Sequence, residues 1–428
     1  MNRLQNIEYG INDKYEYALS PVPENRRKGT EQLMAVLAGV ACSTTGVSLG
    51  MQAGAAMPFS RAVFACVAGN LGLFLLASFW GILGQRTGYS SVSLVRRSLG
   101  SPTAVFYAVF IILTTSVWIG MSGNLMAGLL IAGFSKWKIP MAITTQIAVG
   151  TCIFLSSNGW NSMKHVSFRS LPILLVLTIY LLWSLGTVRG GFGELAVYEP
   201  IGGLSVAVML AVIIGNYALS ATTMPDICRF AKNRHSVLLC TGVYILVLTV
   251  SDICGILIVQ ITGAEVLNYG IFQFGITLLN LIWVMLCIYT TQNVNLYVGG
   301  LAIQNLVHGT ALEGNISNRT AMILLGGLAV IVGVADLSRH LAQVSQAVLL
   351  IAAPLTGIMT AELCIRRQRR MEEKTGPAGW IPLIAWVSGI GAGVWVGEKL
   401  GYGFYAAALV AGGTVYAAVC AGVRRYCN

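Results

Sequence analysis

Hydrophobic residues in this chain fall in long runs, without the alternation of half-buried strands or the one-sided stripe of surface helices. The runs have the length that crosses a bilayer as a helix. They predict twelve spans: 31–57, 61–85, 103–133, 139–157, 169–188, 203–224, 236–262, 272–298, 320–336, 341–363, 380–397 and 403–423. Two spans are interrupted. Leu33–Pro58 is broken by Cys42-Ser43-Thr44-Thr45-Gly46, where Gly39, Gly46 and Gly50 allow unwinding. Leu204–Pro225 is broken at Gly215-Asn216-Tyr217, followed by Ser220, Thr222, Thr223 and a proline. A lipid-facing helix does not tolerate this, because a freed backbone group in hydrocarbon costs about 2–7 kcal/mol unless protein or water satisfies it. Matched breaks in two halves of a chain mark a transporter binding site.

The breaks lie in spans 1 and 6. This offset predicts two five-span repeats, 30–188 and 203–363, with spans 11 and 12 (380–423) added outside them. Five is odd, so the second repeat enters the membrane inverted, and the substrate sits where the repeats meet. Segments 1–29 and 424–428 flank the membrane portion. The fold class is therefore an all-α polytopic membrane protein with a 5+5 inverted repeat.

Composition agrees. The chain is 56% hydrophobic and 10% charged, against roughly 25% charged in soluble domains. Its net charge of +11 would point to nucleic acid in a soluble protein. Here 21 of the 27 Lys and Arg fall in segments on the side of the N-terminus and 6 on the other. That asymmetry places both termini in the cytoplasm of a bacterial inner-membrane protein and leaves no charge needing a nucleic-acid partner. The run Arg366–Arg370 reads as a topology anchor, with binding of anionic lipid headgroups as a second reading. Residues 1–30 are polar, so no cleavable signal is expected and span 1 is itself the insertion signal. The ten cysteines include no CxxC pair and read as small buried hydrophobes. The spans carry no HExxH, GxSxG or carboxylate pair, so no enzyme, cofactor or obligatory protein partner is expected.

Several polar residues lie deep in apolar runs. In span 8, Cys287-Ile288-Tyr289-Thr290-Thr291-Gln292-Asn293 places two adjacent hydroxyls where they can face span 1. Hard oxygens without a carboxylate suit an alkali cation over a divalent one. The alternative is that threonine hydroxyls bond their own helix carbonyls. Span 3 carries Thr114-Thr115-Ser116-Val117-Trp118, then Ser122 and Asn124. Trp118 is mid-span, away from the interfacial belt. With Tyr217 it can sandwich a flat ring, each stack being worth roughly 1–3 kcal/mol; helix packing is the alternative. Asp252 is the acidic residue well inside a span, either a proton-coupling site or a structural acceptor.

At this point the sequence resembles the nucleobase:cation symporter family one, and within it the bacterial cytosine permeases. The segments that carry the resemblance are Pro21–Gly29 before span 1, Gly88–Gly100 after span 2 and Asp226–Asn233 after span 6. The resemblance implies a LeuT-like arrangement with discontinuous helices 1 and 6. It also implies that Trp118 and Tyr217 stack on opposite faces of a ring, with Asn216 and Ser43 beside it and Thr115, Ser122 and Gln292 near it. A sodium site is implied at Gly39, Cys42, Cys287, Thr290 and Thr291. Cytosine permeases carry glutamine, asparagine and serine where this chain has Thr115, Cys287 and Leu219, which widens the expected substrate to the flat-heterocycle class. The expected function is sodium-coupled import of a nucleobase, another purine or pyrimidine, or a hydantoin. The alternatives are proton coupling through Asp252 and a membrane receptor that binds the ligand without moving it.

Overall fold

The computed structural model describes residues 16–133, 143–144, 147, 149–152, 159–188, 190–264, 267–334, 340–366, 379–400 and 404–427. The longer helices, in chain order, are α1 (Thr30–Ala41), α2 (Thr44–Ala56), α3 (Phe59–Thr87), α4 (Ser91–Leu99), α5 (Ser101–Gly133) and α6 (Trp160–Gly186). They continue with α7 (Val206–Thr222), the short α8 (Pro225–Cys228), α9 (Arg234–Thr262), α10 (Thr277–Leu306), α11 (Asn318–Val334), α12 (Leu341–Arg366), α13 (Ile381–Leu400) and α14 (Phe404–Cys427). Among the described residues, nine helices are individually long and apolar enough to cross a membrane, α7 and α8 counting as one span. The pair α1 and α2 adds a tenth crossing, and α11 is a shorter apolar helix. Expected span 4 and the basic run after Arg366 lie largely outside the described residues. The protein is thus a multi-pass all-helical membrane protein.

The outward faces are those of a bilayer protein. On α6, Leu175, Val176, Ile179 and Trp183 are 59–66% exposed, as are Phe64, Leu71 and Leu75 of α3 at 60–66%. In water so much contiguous apolar surface would be a liability; in lipid it is the solvated face. The described cysteines are free thiols.

Helix ends follow local chemistry. Ser205 and Asn233 cap α7 and α9 by accepting the amides of Val208 and Ser236. α3 and α9 stop at Gly88 and Gly263, both left-handed with φ 72°. At one end of the bundle the loops before α1, after α3 and after α8 are tied together. Arg27 donates to the carbonyls of Gln85 and Ala231, and the fully buried Arg229 donates to those of Glu16 and Tyr17. Arg96 reaches the carbonyl of Asn305 at the end of α10. These are loops that the Lys/Arg asymmetry assigns to a single side.

Span 1 breaks where expected. α1 ends at Ala41, Ser43 is extended (φ −113°, ψ 125°), and α2 leaves at 48°. The interruption of span 6 is a correction. α7 runs uninterrupted through Gly215, Asn216 and Tyr217 and ends at Thr222, where Thr223 and Met224 turn into α8. Gly215 is a packing residue: a Cβ there would stand 2.2 Å from the carbonyl oxygen of Ser345 on α12. The hydroxyls of Thr222 and Thr223 both bond back to the carbonyl of Leu219, so the polar run satisfies its own helix end. Gly46 and Gly50, read as unwinding residues, are likewise helical in α2. A Cβ at Gly50 would lie 1.8 Å from the backbone oxygen of Asp252, so Gly50 sets how closely α9 approaches.

α9 lies against α1, α2 and α3; α7 against α3 and α12; α10 against α1, α5, α6 and α11. Both halves of the broken span therefore lie against α9, and the first half also against α10. α13 and α14 pack on α12 and on each other.

Candidate functional site

A cavity opens beside the break in span 1. Its free volume is ≈ 50 Å³, several times the roughly 10–15 Å³ that one water needs on such a measure. The break contributes Ser43 and Thr45, α5 contributes Thr115 and Trp118, and α7 contributes Asn216 and Tyr217. Thr291, Gln292 and Asn295 line it from α10. Three aromatic residues, Trp118, Tyr217 and Tyr244, and several amides and hydroxyls thus converge on one small space in the bundle.

The polar groups are not equally available. The Thr115 hydroxyl bonds back to the carbonyl of Ile111 at 2.7 Å and leaves only its lone pairs for the cavity. Gln292 donates at 2.7 Å to the hydroxyl of Ser122 and accepts at 2.9 Å from Asn295, so its amide is fixed in orientation. Ser122 is outside the cavity lining and acts on Gln292. Asn216 reaches the Thr45 hydroxyl at 3.4 Å, while its buried side-chain oxygen has no protein partner. A donor on a ligand would satisfy that oxygen.

At the end of α1 lies a cluster of oxygens that adjoins the cavity through Thr291. The Thr291 hydroxyl donates to the carbonyls of Val40 and Cys42 at 3.2 and 3.1 Å. These are carbonyls that the end of α1 leaves without helical partners. The Thr290 hydroxyl bonds its own helix at Leu286 and Cys287, at 2.9 and 3.1 Å. A Cβ at Gly39 would sit 3.6 Å from the Cβ of Thr290, so Gly39 is turned towards that threonine. The fold therefore gathers Gly39, Cys42, Cys287, Thr290 and Thr291 at one contact between α1 and α10. The donors there are neutral oxygens, and no group of three or more His, Cys, Asp or Glu able to hold a metal occurs among the described residues. Such a set fits a monovalent hard cation better than a divalent one.

Sequence reasoning missed three contributors, Tyr244, Asn295 and Ser167, and named Ser220 only as part of the polar run after Tyr217. Tyr244 and Ser220, joined by a 3.0 Å hydrogen bond, line the cavity from α9 and α7. Asn295 lines it from α10, and Ser167 of α6 lies against Gly39, its hydroxyl 2.6 Å from where a Cβ would be. Only Asn295 carried a signal, as a polar residue one helical turn beyond Thr291. The others depend on how helices from distant parts of the chain meet.

A membrane bundle whose first span is broken, with a polar and aromatic cavity at the break, is the architecture of a secondary transporter. Residues 21–413 match the family described as permease for cytosine/purines, uracil, thiamine, allantoin, and the chain belongs to that family. It is 24% identical over 394 residues, 89% of each chain, to the cytosine permease of Escherichia coli strain K12 and to that of strain O157:H7. Its fold is similar to that of Mhp1, a nucleobase-cation-symport-1 family transporter, in a closed conformation with bromovinylhydantoin bound (TM-score 0.79, 15% identity, 96% of each chain). A Na+-coupled sialic acid symporter shares the fold at a TM-score of 0.68, with 10% identity over 95% of this chain and 90% of the other.

Proposed function

We propose that this transporter imports a small planar heterocycle, a nucleobase such as cytosine or a related purine, pyrimidine or hydantoin, by sodium symport with alternating access. Trp118 and Tyr217 take the ring faces. Asn216, Ser43 and the fixed amide of Gln292 take its polar edge, with Thr115 and Ser122 supporting. Sodium is held by the carbonyls of Gly39, Cys42 and Cys287 and by the lone pairs of Thr290 and Thr291.

One observation carries the reading. Cys42 and Ser43 are consecutive; the Cys42 carbonyl accepts from Thr291, and Ser43 and Thr291 both line the cavity. The ion and the ligand would therefore share one bend of backbone. A cation that pulls the Cys42 carbonyl into place also sets where Ser43 stands. Binding of either then favours the other by the same factor. The names of the relatives supply the chemical class: cytosine for the permeases, a hydantoin for Mhp1. The Lys and Arg asymmetry supports cytoplasmic termini in a bacterial inner membrane.

The test is uptake of labelled cytosine, uracil and a hydantoin into membrane vesicles carrying the protein. An inward sodium gradient should drive accumulation of at least one of them. Equal uptake with and without the gradient would remove sodium from the account, and uptake of none would remove the heterocycle.

A further inference from the structure

Behind the cavity wall lies a buried cluster of polar atoms, the Tyr217 hydroxyl among them, that neither the ring site nor the sodium site uses. Asp252 of α9 is 0% exposed. Its Oδ2 accepts a 2.7 Å hydrogen bond from Asn70 Nδ2 on α3, and its Oδ1 has no partner. The Asn70 amide also donates to Thr249, while Asn70 Oδ1 has no donor. The Tyr217 hydroxyl from α7 is buried and unpartnered as well. It converges with Asp252 on a single turn of α2: a Cβ at Gly46 would lie 2.5 Å from Tyr217 Oη and 3.2 Å from Asp252 Oδ1.

The groups facing Asp252 hold no compensating charge. α2 offers the glycines 46 and 50, α3 offers Asn70 and Cys66, α7 offers Tyr217, and its own helix offers Thr249, Tyr244 and Cys254. No Lys, Arg or His among the described residues acts on it. An ionised carboxylate with one amide donor, removed from water, is costly enough that such groups neutralise instead. Asp252 Oδ1 and Asn70 Oδ1 are both buried acceptors that lack a donor. A proton is the ligand that resolves this, since it turns one acceptor into a donor.

We propose that Asp252 is a proton-binding site linked through Tyr217 to occupancy of the cavity. With Asp252 ionised, the Tyr217 hydroxyl donates to Oδ1 and is withdrawn from the cavity wall. With Asp252 protonated, that hydroxyl is released towards Ser43 and Thr45, which stand beside it and line the cavity. The protonated form is then the one that binds ligand tightly. Above the pH at which the empty protein loses that proton, ligand binding takes a proton from solvent onto Asp252, and there affinity falls as pH rises. The linkage rests on the cavity being the heterocycle site; the proton site itself does not.

Infrared difference spectroscopy on the purified full-length protein tests the site without any ligand. The carboxylic-acid C=O band of wild type minus Asp252→Asn should be positive at neutral pH, and no band in that difference overturns the proposal. Cytosine binding across a pH series tests the linkage. Wild-type affinity should fall with a slope of up to about tenfold per pH unit, that of one linked proton. Asp252→Asn should bind at every pH as wild type does at low pH. Tyr217→Phe guards against misfolding of the first variant: it should keep the carboxyl band and lose the pH slope. The same slope in wild type and both variants overturns the linkage. Failure of cytosine to bind any of the three proteins would count against the heterocycle reading, with the carboxyl band still deciding the proton site.

Discussion

The hydroxyl of Thr291 donates to the carbonyl oxygen of Cys42 across the gap between α10 and the broken end of α1, at 3.1 Å. The next residue along, Ser43, belongs to the cavity wall. One turn of α10 thus holds the span at the place where it changes direction, through a threonine that also lines the cavity.

Thr290 and Thr291 are expected to respond differently to replacement by valine. Thr291→Val leaves the carbonyls of Val40 and Cys42 without their donor, at a cost of about 1–3 kcal/mol. It should lower thermal stability even in sodium-free buffer. The Thr290 hydroxyl bonds carbonyls of its own helix, so Thr290→Val should leave sodium-free stability nearly unchanged. Both should raise the sodium concentration needed for half-maximal ligand binding, by about tenfold if one ion ligand is worth about 1.4 kcal/mol. Thermal denaturation with and without sodium, read beside a sodium titration, separates the two effects.

Trp118→Ala removes one face of the ring site. A lost stack is worth roughly 1–3 kcal/mol, so affinity for the heterocycle should drop by about tenfold to a hundredfold. Trp118→Phe should recover part of the loss. Equilibrium binding of labelled ligand to purified protein is the measurement, and the sodium requirement should be unchanged in both variants.

Ser122→Ala tests the role assigned to a residue outside the cavity. Without its hydroxyl, the Gln292 amide loses a 2.7 Å partner and gains rotational freedom. Ligand affinity should fall by about tenfold or less, since one neutral hydrogen bond nets about 0.5–1.5 kcal/mol. Ser122→Thr, which keeps the hydroxyl, should restore it.

Gly50→Ala and Gly215→Ala probe packing. The added methyls would lie 1.8 Å and 2.2 Å from the backbone oxygens of Asp252 and Ser345. Overpacking of this kind costs about 1–3 kcal/mol, and both variants should unfold at lower temperature. Gly193, whose Cβ position is open within 4 Å, is the matching control.

The membrane class and the break in span 1 were legible because both are local. Length and hydropathy define a span, and a run such as Cys42-Ser43-Thr44-Thr45 has no place facing lipid. The break expected at Gly215 was misplaced because glycine has two uses that sequence does not separate. It can relax a helix or let a neighbour approach, and only the position of Ser345 on α12 decides. For Thr222 and Thr223 the same ambiguity was settled by hydroxyls turning back onto Leu219. Trp118, Tyr217 and Thr291 stood out because each is costly in an apolar run without a reason. Tyr244 and Ser167 did not stand out, since a tyrosine or serine in a span is unremarkable until the partner helix is known. Asp252 was conspicuous from its burial in sequence, but its convergence with Asn70 and Tyr217 required three separate helices to meet.

If one bend of backbone serves both ion and ring, the most direct measurement is a pair of titrations on the same purified protein. One gives the dissociation constant of the bound heterocycle with and without saturating sodium. The other gives that of sodium with and without saturating heterocycle. The account predicts that each ligand tightens the other, by one and the same factor. Heterocycle binding that is identical in the presence and absence of sodium would contradict it.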